Sequence, residues 1–266
     1  KAGQVMTVTA RDPKALAILF HKRFGHRNYA DCADELGIQL PANMPICIIC
    51  KLAKSKRTAL TGGDEALYDA PRPGHTFSWD HAGPFRVPDW DGNEVFSLKI
   101  CINSGKLFSR MVKTTGVTTR EWMEFVRQLN AHFGKQTVAR LITDSAPYFA
   151  AHEMKIFNSA QGIVHTQLPP HTQELNGVVE RTFGTLFTMT RAAMLEACTP
   201  VRAYGLCLVM MADTLNTLRH RRGGRLSRNE KWHNRLLPNQ HKRLGVWGCA
   251  AILHTNHHGR GHVGGP

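Results

Sequence analysis

Between residues 76 and 220 the hydrophobic period of the chain switches repeatedly, and that succession confines it to an α/β architecture. Phe77–Ala82, Val95–Ile102 and Leu107–Val112 are β-prone runs, separated by turn residues such as Asp91-Gly92 and Asn103-Ser104-Gly105. They predict a three-stranded meander. Thr118-x-x-Glu121 has the form of a capping box, and Trp122, Phe125, Val126 and Leu129 follow at helical spacing until Gly134. Val138–Thr143 predicts a buried strand, 151–160 a helix, and Ile163–Leu168 a further strand. After Asn176-Gly177, one face of a long helix carries Val179, Phe183, Leu186, Phe187, Ala193, Met194 and Ala197, and Pro200 ends it. A last helix is expected over roughly 202–219. The order β-β-β-α-β-α-β-α-α is that of an α/β domain built on a mixed sheet.

Composition narrows the class of partner. In 266 residues, 34 Lys and Arg face 20 Asp and Glu, a net charge of +14. Such a basic balance favours a polyanion, through phosphate contacts and counterion release. At 42% hydrophobic and 20% charged the chain is globular rather than disordered. It holds no apolar run long enough for a transmembrane helix, so no membrane partner is expected. KAGQVMTVTARD lacks the order of a signal peptide, and a first residue other than Met suits a piece of a longer precursor. Seven scattered cysteines do not form a secreted disulfide framework, and a reducing compartment is expected. The chain divides into residues 1–57, a Gly/Pro-containing linker over 58–75, a core over 76–220, and a basic segment over 221–266.

Only Cys47 and Cys50 form a close cysteine pair, a C-x-x-C, and His21 and His26 precede it with 20 residues between His26 and Cys47. Two imidazoles and two thiolates are a donor set that closes a structural zinc tetrahedron. A five-residue histidine spacing does not keep both rings on one face of a continuous helix, but Gly25 can break the helix and let His26 swing back toward His21. The bland alternative is a set of core cysteines and surface histidines. Cys32, between the pairs, competes as a ligand and reads better as a small helix residue. A domain of this size would fold largely because metal binds.

Three acids stand out in the core. Asp80 lies inside the apolar strand FSWDHA, where an ionised carboxylate needs a cation or hydrogen bonds. Asp144 ends the strand ARLITD, and Glu180 opens the long helix. Converging at one sheet edge, the trio would offer hard oxygen ligands to Mg²⁺ for phosphoryl transfer. Singly, Glu180 could complement the helix dipole and Asp144 could cap the next segment.

These residues resemble a known family, the integrases of LTR retrotransposons and retroviruses, and within it the copia type. HKRFGH…CIICKLAKSKR is similar to the pre-integrase zinc segment, and 35 residues separate the second Asp from the Glu, as in the family's D…D…E pattern. LPPHTQELNGVVER and, farther on, KWHNRLLPNQHKRLGVWGCAAILH resemble the family's later motifs. The resemblance implies an RNase H-like fold, a mixed five-stranded sheet flanked by helices and preceded by a small helical zinc-binding domain. It implies two Mg²⁺ or Mn²⁺ ions at Asp80, Asp144 and Glu180, and Zn²⁺ at His21, His26, Cys47 and Cys50. The implied activity is that of a DDE-type polynucleotidyl transferase joining element cDNA ends to target DNA. A homo-oligomer is expected, acting in the nucleus after a cytoplasmic particle stage. Asn176, Arg181, Lys54, Lys56, Arg57, Arg221 and Arg222 are candidate DNA contacts.

Two features depart from the family. Ser145-Ala146-Pro147 stands where Asn-Gly-Gly is usual, and Pro147 removes a backbone donor and stiffens the loop. Glu174-Leu175 replaces a Gln-rich pair. The alternatives are a catalytically inactive integrase-derived DNA-binding or assembly protein and a plain RNase H-like nuclease. Arg219, Arg221, Arg222, Arg225 and Arg228 form a basic cluster, read either as a DNA-contact or nuclear-entry segment or as a solvated surface. His254, His257, His258 and His262 lack cysteine or acidic neighbours that would make a second metal site.

Overall fold

The computed structural model describes residues 12–53, 70–134, 137–168, 177–219 and 226–249. Three short helices open it: α1 (Pro13–Arg23), α2 (Tyr29–Leu36) and α3 (Ile48–Ala53). Asp12 caps α1 by accepting from the Lys14 amide, and Asn28 caps α2 through the Asp31 amide. Phe20, Phe24 and Cys32 bury their side chains against Leu218 from the far end of the chain. Cys32 therefore serves packing, as its place in a helix implied.

The sheet follows. Strands β1 (Thr76–Ala82), β2 (Val95–Cys101), β3 (Leu107–Val112), β4 (Arg140–Thr143) and β5 (Val164–Gln167) lie in the order β3-β2-β1-β4-β5. β1, β2 and β3 are antiparallel neighbours, the expected meander, while β4 and β5 run parallel to β1. The mixed five-stranded sheet is thus present. The β4 and β5 ladders are shorter than the apolar runs that foretold them. Val138, Ile163 and Leu168 flank these strands and are buried as packing residues.

Helices cover both faces. On one side α4 (Thr118–Phe133) and α5 (His152–Gln161) close over Phe77, Trp79 and Leu141. On the other, α6 (Gly177–Ala197) and α7 (Tyr204–Thr217) pack Val179, Phe183, Leu186, Leu208 and Met211 against Phe96, Leu98 and Ile100 of β2. The stripe expected along the long helix is the buried one, with Phe187 and Met194 at its margin. Near the chain's end, α8 (Arg228–His233) is a single short helix. Among the described residues no helix is long and apolar enough to cross a membrane.

The capping box expected at Thr118 and Glu121 does not form. Val117 precedes α4 without a side-chain cap, and the Thr118 hydroxyl donates to the Thr115 carbonyl instead. Glu121 turns inward, where Lys99 from β2 donates to it at 2.5 Å and the Ser97 hydroxyl at 2.8 Å. The Lys99 ammonium also sits 4.1 Å from the centre of the Trp79 ring. The Lys99–Glu121 attraction outweighs a surface cap, because a buried charge without its partner costs several kcal/mol. The motif is realised elsewhere. Ser227 accepts from the Glu230 amide, and Glu230 accepts from the Ser227 amide. Burial alone would raise the Glu230 pKa, but Arg219 and the amides of Ser227 and Leu237 outweigh it and hold the carboxyl at about 2.

The buried pair gives a direct test. Lys99→Met alone is expected to cost about 3–5 kcal/mol, because it strands the Glu121 carboxylate. Lys99→Met combined with Glu121→Leu should recover most of that loss in denaturant melts, and an additive double variant would contradict the pairing.

Candidate metal centres beside one helix

His21 is buried in the last turn of α1, and the chain then reverses. Gly25 takes φ +61° and His26 φ +60°, and the His26 amide donates to the His21 carbonyl at 2.7 Å. This is the helix break that the glycine foretold. It brings the two imidazoles edge to face, with centroids 4.8 Å apart. A side chain at position 25 would also meet Met211 and Met189 of the core at 2.6 and 2.7 Å, so glycine is needed for space as well as for φ.

Cys47 and Cys50, at the start of α3, complete the cluster, and the four donor atoms lie within 4.8 Å of one another. Cys50 Sγ is 3.3 Å from His21 Nε2, and Cys47 Sγ is 3.4 Å from His26 Nδ1. Bond lengths of zinc to nitrogen and sulfur give a tetrahedral N···S edge of roughly 3.5 Å, so the residues fit that ion. The surroundings orient the rings. His21 Nδ1 donates to the Arg27 carbonyl at 2.5 Å, which leaves Nε2 facing the thiols. Glu196, near the end of α6, brings Oε2 to 3.9 Å from His26 Nε2, while its other oxygen pairs with Lys22. Glu196 escaped the sequence reading, since an acid near a helix end looks like ordinary surface until α1 is seen to dock there.

The acidic residues gather at the other end of α6. Ser78 of β1 is the parallel partner of Ile142 of β4. Asp80 lies two residues farther along β1 and Asp144 two residues after Ile142, just past the end of β4, so the register continued by one strand period would set them on the same face. Glu180 sits in the first turn of α6, which packs against β1. Burial raises the Asp80 pKa to about 7, and the charges of Asp144 and Glu180 push the same way, against the His81 amide that donates to it. Asp144 and Glu180 are thus each within electrostatic reach of Asp80. The three carboxylates are not drawn as close as the His-Cys set, which is the one such donor group among the described residues. Their like charges disfavour joint ionisation, and a divalent cation would relieve that repulsion.

The loop after Asp144 is orderly. The Ala146 amide donates to Asp144 Oδ1 at 3.1 Å, and Pro147–Phe149 form a turn of 3₁₀ helix. Pro147 occupies the first helical position, where an amide has no partner in any case, so the donor it removes is one the turn does not use. Phe149 is fully buried against Trp79, and Tyr148 lies over His81, its ring centroid 5.2 Å away.

Of the candidate DNA contacts, Arg181 is exposed on α6 beside Glu180. Asn176, Lys54, Lys56, Arg57, Arg221 and Arg222 lie outside the described residues, as do Arg225, the 171–175 loop and the four late histidines. Of the described members of the basic cluster, Arg219 is exposed and Arg228 is partly buried. Arg219 pairs with buried Glu230 at 3.1 Å.

No family model matches the chain. A retrovirus-related Pol polyprotein from transposon TNT 1-94 of Nicotiana tabacum is 24% identical over 248 residues, covering 89% of this chain. The chain spans only 18% of that relative's length. Among solved structures, an intasome of simian T-cell lymphotropic virus in complex with the PP2A regulatory subunit B56 gamma matches with a TM-score of 0.51. That match is 19% identical and covers 92% of this chain and 80% of the other. The chain is thus similar in sequence to a transposon's retrovirus-related Pol polyprotein and in fold to a protein of a retroviral intasome. The catalytic core domain of HTLV-2 integrase, in complex with magnesium, also matches, at 20% identity and a TM-score of 0.46 over 62% of this chain and all of that one. The integrase-type sheet, flanked by helices on both faces, is the RNase H-like arrangement anticipated from the motifs.

Asp80 makes this integrase-type fold sensitive to pH without metal. Its folded pKa of about 7 lies above the ordinary 3.8, so the unfolded chain binds fewer protons between those values. The Asp80 contribution to stability is therefore complete below about 3.8 and is lost as the pH rises through about 7. Without added divalent metal, Asp80→Asn should raise the melting temperature at about pH 8 by roughly 2–4 °C and leave it little changed at about pH 4. An equal shift at both values would disprove the coupling.

Proposed function

We propose that the chain is the zinc-binding and catalytic part of a copia-type integrase, joining element cDNA ends to target DNA in the nucleus. One observation carries this reading. Asp80 lies within β1 and Asp144 directly after the neighbouring parallel strand β4, and the charges of both Asp144 and Glu180 act on Asp80, which supports a shared acidic site. In the leading reading Asp80, Asp144 and Glu180 hold two Mg²⁺ or Mn²⁺ ions, which supply Lewis acidity for in-line phosphoryl transfer. Asp80 is the residue whose ionisation burial resists, so its carboxylate form depends most on cation binding. The Asp144 carboxylate is oriented by the Ala146 amide, and the rigid 3₁₀ turn after it fixes that edge of the site. The basic balance of the chain supports DNA as the partner.

His21, His26, Cys47 and Cys50 are proposed as a structural zinc site. Its donor geometry supports this, and all four positions are taken by protein ligands, which suits folding rather than catalysis.

The catalytic reading is tested by joining an oligonucleotide bearing the element's terminal sequence to plasmid DNA in Mg²⁺. Joining by the native chain, with at least a 100-fold loss (an order-of-magnitude expectation) in Asp144→Asn, is the expected result. DNA binding without joining by an assembled native multimer would favour the non-catalytic alternative. For zinc, the purified chain should retain the metal and lose thermal stability on chelation. Glu196→Gln should weaken zinc affinity by roughly 10-fold, because it removes the carboxylate facing His26. Undiminished retention by a Cys47→Ser, Cys50→Ser double variant would exclude the site.

A further inference from the structure

β3 forms one edge of the sheet, and its outer side opens into a groove. A cavity of about 530 Å³ lies along the strand from Lys106 to Arg110, walled by Glu121 and Phe125 of α4 and by Val209 and Asp213 of α7. A second, of about 340 Å³, continues from Arg110 to Lys113 and Arg120. Arg110, Glu121 and Glu124 line both. The helices on the two faces thus overhang this edge without closing it.

The hydrogen bonds of β3 fix which way its backbone points. The Lys106 and Val112 carbonyls accept from the Cys101 and Glu94 amides, on the β2 side. Leu107 points the other way. Its amide donates to Asn216 Oδ1 and its carbonyl accepts from Asn216 Nδ2, each at 2.8 Å. The Asn216 side chain thereby does for Leu107 what a residue of a further strand would do. Alternation along the strand gives Ser109 and Met111 the same outward direction. Among the described residues no side chain covers their amides and carbonyls as Asn216 covers those of Leu107. An open row of this kind is a template for another strand.

The side chains around the groove are also incompletely matched. Glu121 Oε1 accepts from Lys99 and Ser97, but Glu121 Oε2 is buried without a hydrogen-bond partner. Lys113 and Arg120 are exposed and have no carboxylate partner among the described residues. Arg110 approaches Glu124 only to 3.9 Å. The floor therefore lacks a donor, and the rim lacks acids. Val209 and Met111 add apolar surface.

We propose that the β3 edge receives an extended acidic peptide of a protein partner. The peptide pairs with the Ser109 and Met111 backbone groups, sets an amide side chain at Glu121, and sets acidic side chains at Arg110, Lys113 and Arg120. Backbone pairing supplies affinity, and the alternate side chains supply specificity. A nucleic acid has no amide ladder to offer the open row, so a peptide strand is the better fit. β2 separates this edge from β1 and Asp80, and the inference stands independently of the integrase reading.

The test is fluorescence anisotropy of a fluorescein-labelled Val-Gln-Val-Glu-Val-Glu peptide with the full zinc-loaded chain. N-methylation of the peptide at alternate residues should weaken binding roughly ten-fold, because it removes the donors that face β3. A Val-Gln-Val-Lys-Val-Lys peptide should also bind roughly ten-fold more weakly. Proline is tolerated on an edge strand where the lost amide points outward. Ser109→Pro should therefore keep a native circular-dichroism spectrum and weaken the acidic peptide about five-fold. Arg120→Gln should weaken it about three-fold. Equal affinity for the plain and N-methylated peptides, or for the acidic and basic ones, would overturn the assignment, and neither comparison needs a variant to fold. Displacement of the peptide by duplex DNA of arbitrary sequence would give the groove to nucleic acid instead. Failure of the peptide to bind, with dispersal of the native multimer by Ser109→Pro, would give the edge to a second copy of the chain and remove the proposal.

Discussion

The burial of one face of α6 against β2 is the constraint on which the rest of the molecule depends. Val179, Phe183 and Leu186 anchor the helix to Phe96, Leu98 and Ile100, and that packing fixes its rotation about its own axis. With the rotation fixed, Glu180 is delivered to the aspartates at one end and Glu196 to the histidine cluster at the other. The face carrying Arg181 and Thr185 is left to line an open cleft. A helix turned by one residue would misplace all three.

Charge within the sheet layer follows the same economy. Lys99 and Glu121 bury a matched pair, and the aromatic face of Trp79 adds to the cation's surroundings. Asp80 is different, because its near neighbours Asp144 and Glu180 carry the same sign. The sheet layer thus sets Lys99 against Glu121, whose Oε2 keeps no hydrogen-bond partner, and leaves Asp80 among charges of its own sign. Such contrast is the usual mark separating a structural ion pair from a site that takes a ligand.

Much of this was legible in the sequence because it is written in local periods. The meander, the stripe on α6 and the glycine break between the histidines all depend on residues a few positions apart. Glu121 was misread because its pattern with Thr118 is also that of a cap, and its true partner, Lys99, lies on a neighbouring strand. Ser227 and Glu230 carry the same pattern and do form the cap, held there by Arg219. Pro147 looked like a lost donor until the turn placed it at a first helical position. Arg228 looked like one of a run of surface cations, and only the approach of the Gly105 turn shows it to be enclosed. Glu196 gave no local signal, since its meaning comes from a helix at the other end of the chain.

The contact between Lys22 and Glu196 joins residues 174 positions apart, whereas the four His and Cys donors fall within a single stretch of thirty residues. The order of assembly follows from that difference. A metal can close the N-terminal cluster while the remainder of the chain is still unmade, since the loop it must close is short. Docking of the cluster on α6 has to wait until Glu196, 174 positions after Lys22, has been synthesised and the sheet has formed. The cluster therefore acquires its local shape well before it finds its place on α6.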